Sequence, residues 1–372
     1  MSSKAKKLIL PAFSCLIFLL AILQIALSLG KILSQHPLID FLVYYQASGN
    51  FLSGQNPYLS AYPPSSNAIG LNYPPASLLI FSLFHIFPFS ISQTLFLILS
   101  FIAFIASFLL LFKMSKPNIK PAYFILLLAF LIQTFPFKFT LVLGQINAIA
   151  LFLVILSLYL LSENHKPLSA FFMALGGSLK LYPLGLLPLF IIKKEIKYTL
   201  FSLVFFLFLN LYNPRFFADY FYSILPNLAS VDNTRNFYDQ SIFALTLRLT
   251  DNILFSKFTS AITTVILYLA ITFSRRFTNI YQRIIALLAL LSISGPFSWQ
   301  HHLIMAYPFI FLNYYKPQYF FPIWALLAFH FQSPTNPLLQ NPFLVSYQTI
   351  LILFLLFLRI FKPPNLKLNT SV

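Results

Sequence analysis

No charged residue interrupts the chain from Leu8 to Leu29, and about 20 apolar residues are what an α-helix needs to cross a bilayer. The run is too long for the apolar core of a signal peptide, and no small-residue cleavage site follows it. It therefore reads as a retained first membrane span. Comparable runs recur along all 372 residues, with 59% of the chain hydrophobic and 8% charged, where a soluble domain carries about 25% charged residues. The sequence is that of an all-α polytopic membrane protein.

The formal net charge of +17 raises nucleic acid as a partner, but the placement of the charge argues against it. Basic residues stand in short clusters between apolar runs, which is the positive-inside pattern. The single cysteine, Cys15, falls inside the first span, so neither an intramolecular disulfide nor a cysteine metal site can form. No repeat or low-complexity linker divides the chain, which reads as one domain over 1–372 with short tails at 1–7 and 362–372.

Hydropathy predicts about 12 spans, near 8–30, 90–112, 120–136, 140–162, 166–180, 182–192, 196–212, 254–274, 280–296, 301–315, 317–332 and 343–361. With the N-terminal Lys4, Lys6 and Lys7 inside, 17 of the 24 basic residues fall on the cytoplasmic side, as do both glutamates, Glu163 and Glu195. All five aspartates (Asp40, Asp219, Asp232, Asp239 and Asp251) fall outside. This topology needs residues 76–87 to lie at the interface without spanning, since they are too few to cross. It also needs residues 166–192 to enter and return, broken near Gly176-Gly177 and Tyr182-Pro183. The larger polar loops, 31–89 and 213–252, are then on the outer face, where chemistry is expected.

Asp40 stands out because acids are scarce and a carboxylate close to lipid is costly. It precedes a stretch whose apolar residues, Phe41 to Leu52, can form a helix lying on the membrane surface, ended by Gly54. Asp40 can be that helix's N-cap, a general base, or both. Tyr44 and Tyr45 suit an interfacial belt. In Tyr73-Pro74-Pro75 the prolines set a rigid, extended entry to a helix, which can hold Tyr73 against an outer cavity. In Gly144-Gln145-Ile146-Asn147, the polar pair either packs helices or faces a cavity.

Lys180, in Gly176-Gly177-Ser178-Leu179-Lys180-Leu181-Tyr182-Pro183, sits beside a helix break among apolar residues. It can snorkel to the interface or meet an anion, and phosphate is the natural one. The segment Asn233 to Ile242, with Arg235, Asp239 and Gln240, offers amides suited to sugar hydroxyls or to loop turns. In Gly295-Pro296-Phe297-Ser298-Trp299-Gln300-His301-His302, adjacent histidines converge poorly on a metal and suit hydrogen bonding to phosphate or sugar instead.

In their order, these segments resemble glycosyltransferase family 87, the polyprenyl-phosphate-mannose-dependent mannosyltransferases of GT-C architecture. The segments are the Asp40 loop, YPPASLL, GQINA, GGSLKLYP, YDQSIFALTLRL and GPFSWQHH, and the likeness spans residues 40 to about 310. The resemblance implies a helical bundle with interfacial helices in the first outer loop and a lipid-linked sugar donor entering from the membrane. Asp40 matches the family's loop aspartate, its general base. Leu42 stands where a DxD metal motif would carry a second acid, so no metal and no other cofactor is expected.

The resemblance further implies inverting transfer of a hexose, mannose in the family, to a lipid or glycan acceptor on the outer face of the cell membrane. Lys180, Arg235, His301 and His302 would meet the donor phosphate. Tyr44, Tyr73, Gln145, Asn147, Tyr182, Asp239 and Gln240 would line the sugar or acceptor site. The rival reading is a transporter or flippase of a lipid-linked or polar substrate, which would not need a carboxylate at the mouth of the first span.

Overall fold

A computed structural model of the protein describes residues 3–58, 70–115, 117, 119–228, 237–295, 298–330 and 341–361, with side chains from Leu10 onward. Among these residues the fold is helical, without named strands. The chain opens with α1 (Ser3–Gln35) and α2 (Ile39–Leu52), then α3 (Ala76–Ser82), which tightens into a 3-10 turn at Leu83–Ile86. A long α4 (Phe89–Ser115) is followed by α5 (Pro121–Ile132), α6 (Phe135–Leu143), α7 (Asn147–Ser162) and α8 (Lys166–Leu179). A 3-10 turn at Tyr182–Leu186 leads into α9 (Leu187–Ile192) and α10 (Ile196–Asn210). The short helices α11 (Pro214–Asp219) and α12 (Leu225–Leu228) come next, joined by a π-helical turn.

The second half holds α13 (Ile242–Thr250), α14 (Ile253–Phe273) and α15 (Ile280–Ser294), then a 3-10 turn at Gln300–Ala306. It closes with α16 (Tyr307–Tyr314), α17 (Pro317–Ala328), α18 (Pro342–Val345) and α19 (Tyr347–Phe361).

Proline sets much of this segmentation. Helices α5, α6, α8, α9, α11, α16 and α17 each carry a proline in the first two positions. There the missing N–H costs nothing and the fixed φ suits helix entry, while the residue before proline is steered out of the α region. The 25 prolines thus cut apolar sequence into short pieces. At 1.5 Å per residue, the 27 residues of α4 reach about 40 Å and the 12 of α5 only about 18 Å.

Three helices among the described residues are long and apolar enough to cross a membrane: Leu10–Gln35 within α1, α4 and α14. The number rises to five if each of two bent pairs counts as one crossing: α5 with α6, bent by 60°, and α10 with Pro214–Leu228, bent by 111°. Twelve full-length spans are therefore not what the helix lengths give. Most of the hydropathy peaks coincide with helices, but many of those helices are short.

The break expected within 166–192 is present, between α8 and the 3-10 turn that leads into α9. Residues 76–87 form the short α3 and its 3-10 extension. The expected continuous span over 140–162 is instead two helices. Gly144 ends α6 with φ +70°, and α7 begins at Asn147.

α1 and α14 present most of their large side chains outward, among them Leu16, Leu23, Leu27, Phe258 and Ile266, as lipid-facing helices do. The interior packs mainly α4, α7, α8 and α10 side by side, with α15 and the 300–306 turn buried beyond them.

Candidate functional site around Asp40 and Lys180

α2 is seated by Gly144. A β-carbon at this position would lie 2.8 Å from Phe41 Cβ and 2.9 Å from Leu38 Cβ, closer than real side chains approach. The positive φ favours glycine independently. The α6–α7 break therefore presses directly on the first turn of α2 and sets the next residue, Gln145, against Asp40. Asp40 is not the N-cap. Leu38 holds that position without a side-chain cap, and Asp40 is the second residue of the helix, where a carboxylate also gains from the helix dipole.

Asp40 Oδ2 accepts a hydrogen bond from Gln145 Nε2. Gln145 Oε1 accepts from the Tyr73 hydroxyl at 3.1 Å, and that hydroxyl meets the Tyr44 hydroxyl at 2.9 Å. Tyr44 lies one turn after Asp40 on α2, on the same face. Asp40 Oδ1 has no hydrogen-bond partner among the described residues and the residue is only half-buried, so this oxygen remains open to a reactant. Burial pushes the Asp40 carboxyl up to about 6, against the opposing pull of the Gln145 hydrogen bond and the Lys180 charge.

Lys180 follows α8 in extended conformation (φ −152°, ψ 126°) and is buried, only 7% exposed. Its Nζ lies 2.6 Å from His302 Nε2 and 5.6 Å from the centre of the Tyr73 ring, a cation–π contact. With Lys180 in its ammonium form it can only donate; His302 Nε2 then accepts and the ring proton sits on Nδ1. Tyr73 thus stands between the two ends of the site, its hydroxyl turned to Gln145 and its ring beside Lys180.

Several bonds hold these pieces in place. Asn210 donates to Ser178 Oγ (2.8 Å) and accepts from the Ala76 backbone N–H (2.9 Å), tying α3 to the helix that ends at Lys180. The Tyr58 hydroxyl donates to the Tyr73 carbonyl, and that of Tyr212 to the Pro75 carbonyl, each at 3.0 Å. The His301 carbonyl accepts from Thr140 (3.2 Å) and Asn147 (3.1 Å), which clamps the histidine turn onto the ends of α6 and α7. The His301 and His302 rings meet edge to face, 4.5 Å apart. Asn210 was missed at the sequence level, although a buried asparagine ending an otherwise apolar helix is the signal that finds it.

The remaining expected residues divide. Asn147 Oδ1, the Tyr182 hydroxyl and His301 Nδ1 are buried without a hydrogen-bond partner among the described residues. Such atoms call for an explanation.

Asp239 and Gln240 are engaged by protein. Asp239 Oδ1 accepts from the Ser241 N–H at 2.7 Å, and Gln240 donates to the Val345 carbonyl at 2.8 Å. The Gln240 N–H bonds the Ser298 carbonyl and the Gln300 N–H bonds the Tyr238 carbonyl. This pair therefore braces the strand-like segment that leads into His301. Arg235 lies outside the described residues.

The site therefore joins an open carboxylate, an ammonium and two imidazoles over a floor of tyrosine and amide groups. That set can accept a proton from one reactant and meet negative charge on another. The sequence model of glycosyltransferase family 87 matches residues 71–294. Tyr73, Gln145, Asn147, Lys180, Tyr182, Asp239 and Gln240 lie inside that stretch; Asp40 lies 31 residues before it, and His301 and His302 lie seven and eight residues after it. No curated protein matches the chain.

Proposed function

This chain belongs to glycosyltransferase family 87, and from that premise we propose that it transfers a hexose, mannose in the first instance, from a polyprenyl-phosphate donor to a lipid or glycan acceptor. The family assignment and the apolar helices make it a membrane glycosyltransferase. The observation that carries the finer reading is a half-buried carboxylate, one oxygen open, within electrostatic reach of a buried lysine that has no carboxylate in hydrogen-bond contact among the described residues.

In this reading Asp40 Oδ1 takes the proton of the acceptor hydroxyl as its oxygen attacks the anomeric carbon. The bond from that carbon to the phosphate oxygen breaks with inversion. Polyprenyl phosphate leaves with the electron pair, and Lys180, His302 and His301 meet its growing charge. The unpartnered Tyr182 hydroxyl and Asn147 amide oxygen are suited to sugar hydroxyls. In this reading the Lys180 ammonium and the histidine N–H groups take the phosphate in place of a metal.

The topology proposed with it has both termini cytoplasmic, the site on the outer face, and about 12 apolar segments entering the membrane, many of them as half-depth helices paired end to end. A reporter fused after residue 118 should be cytoplasmic, and an external one would overturn this arrangement.

The test is transfer of label from radiolabelled polyprenyl-phosphate mannose to endogenous acceptors in membranes bearing the protein, with hexose and pentose donors in parallel. Transfer by the wild type and its loss in Asp40→Asn are expected. If no lipid-linked sugar is transferred and a labelled lipid or polar solute instead crosses the bilayer, the transporter reading replaces this one. Lys180→Ala should weaken donor binding and lower turnover by about 10²–10³-fold, as loss of one preorganised charge-stabilising donor does.

A further inference from the structure

Among the described residues Asp40 makes one hydrogen bond, and the donor, Gln145, has its own orientation fixed by a second residue. We propose that Gln145, locked by Tyr73 and Tyr44, is a positioning residue that dedicates Asp40 Oδ2 to the protein and leaves Oδ1 as the single oxygen that takes the acceptor's proton. This inference rests on the reading of Asp40 as the base.

The direction of the chain follows from the chemistry of its members. A carboxylate only accepts, so the amide nitrogen of Gln145 must face Asp40 and its oxygen must face Tyr73. The Tyr73 hydroxyl has one proton, which it gives to Gln145 Oε1. At the Tyr44–Tyr73 contact, 2.9 Å long, Tyr44 is therefore the donor. The result is a one-way series, Tyr44 to Tyr73 to Gln145 to Asp40, in which each bond polarises the next.

The backbone enforces it as well. Gly144 pins the α6–α7 break against Leu38 and Phe41, the residues on either side of the Ile39–Asp40 pair. Asp40 and Tyr44 share a helical face, so the series begins and ends on α2. Without the amide, the carboxylate could rotate and offer either oxygen. With it, the reactive lone pair is held in one place, which is the orientation a base needs.

The charged and titratable groups that act on Asp40 are Lys180, Tyr44 and Tyr73, with His302 bonded to Lys180 beyond them. Removing the amide donor removes an influence that favours the ionised carboxylate, and leaves the ammonium in place.

The decisive measurement is the pH profile of sugar transfer from the labelled polyprenyl-phosphate donor that the wild type uses fastest, in membranes, for wild type, Gln145→Met, Tyr73→Phe and the double variant. Gln145→Met keeps the volume and removes the donor; Tyr73→Phe removes one oxygen and keeps the ring beside Lys180. The base works ionised, so rates fall on the acid side. A raised carboxyl pKa moves that limb to higher pH. Gln145→Met should lower kcat/KM by about 10–100-fold, as loss of a hydrogen bond to a charged group does, and move the acid limb upward by about one pH unit.

Tyr73→Phe should move the limb in the same direction by less, and the double variant should lose little beyond Gln145→Met, because both act through one series. An equal loss at every pH in both single variants, with Asp40→Asn inactive, means that Gln145 only supports the fold, and overturns the inference alone. Should Gln145→Met fail to fold, Tyr73→Phe decides by the same criterion. Activity retained by Asp40→Asn overturns the base assignment itself, which is a separate outcome.

Discussion

Asp40 and Asp239 are both enclosed by neighbouring helices, and burial pushes both carboxyls up, to about 6 and about 7. By charge state alone they are alike. Asp239 is wholly buried, its Oδ1 holds the Ser241 N–H at the start of α13, and its Oδ2 is sealed without a hydrogen-bond partner among the described residues. Each feels a nearby cation, Arg248 for Asp239 and Lys180 for Asp40; Asp40 also has one oxygen bound, but its other is open. A perturbed carboxyl is therefore not by itself a mark of chemistry here; access to a reactant separates the two.

The contrast is sharpest in activity. Asp40→Asn should reduce sugar transfer by about 10²–10⁴-fold, the usual worth of a general base, while Asp239→Asn, which keeps an oxygen for the Ser241 N–H, should leave transfer near wild type. An equal collapse in both would remove the distinction by access.

Next in size is the seat of α2. Gly144→Ala drives a β-carbon into Leu38 and Phe41 and should shift Asp40 enough to cost about 10²-fold in turnover, as misplacement by an ångström does. Gly176→Ala, whose added carbon would meet its nearest neighbour at 3.5 Å, should be tolerated, and transfer by the two variants compares them directly.

The smallest effect is on stability. A carboxyl whose folded pKa is raised adds stability that is fully present below the unfolded pKa, near 3.8, and lost as pH rises through the folded value. Asp40→Asn should therefore melt above the wild type at pH 8, with the gap closing as pH falls from about 6 toward 4. For Asp239→Asn the gap should begin to close from about 7. Melting curves of detergent-solubilised protein across this range check both. A gain in stability with a loss of activity at Asp40 would fit a site that keeps a strained charge for use.

Much of the architecture was legible because apolar runs, prolines and glycines act locally. Most predicted spans coincide with helices, and a helix after Asp40, a short helix over 76–87 and a break within 166–192 were all readable. The split of 140–162 was not, although Gly144-Gln145 marked it, because apolar residues on both sides hid a break that only the approach of α2 makes necessary. Three to five helices among the described residues are long enough to cross, against the twelve segments that hydropathy picks out, because hydropathy counts apolar segments and does not measure how far each one reaches.

Within the site, scarcity pointed to Asp40, and burial beside a helix break pointed to Lys180. The partners were harder to read, since Gln145 and Tyr73 meet Asp40 only through tertiary packing across 105 and 33 residues of chain. Asp239 and Gln240 had the composition of a sugar site or of a loop turn; the Asp239–Ser241 bond is such a turn, while the bonds of Gln240 to Val345 and Ser298 are invisible to sequence spacing.

The Lys180–His302 contact joins residues 122 positions apart, and His301 closes over Thr140 and Asn147 from late in the chain. A ribosome that has finished α2, α6 and α8 has thus made the aspartate, its amide partner and the lysine, but not the turn that completes them. During synthesis the growing protein can hold a nearly whole bundle in the membrane and still be inert. Under the proposed function, the site is whole only when the segment around residue 302 is inserted.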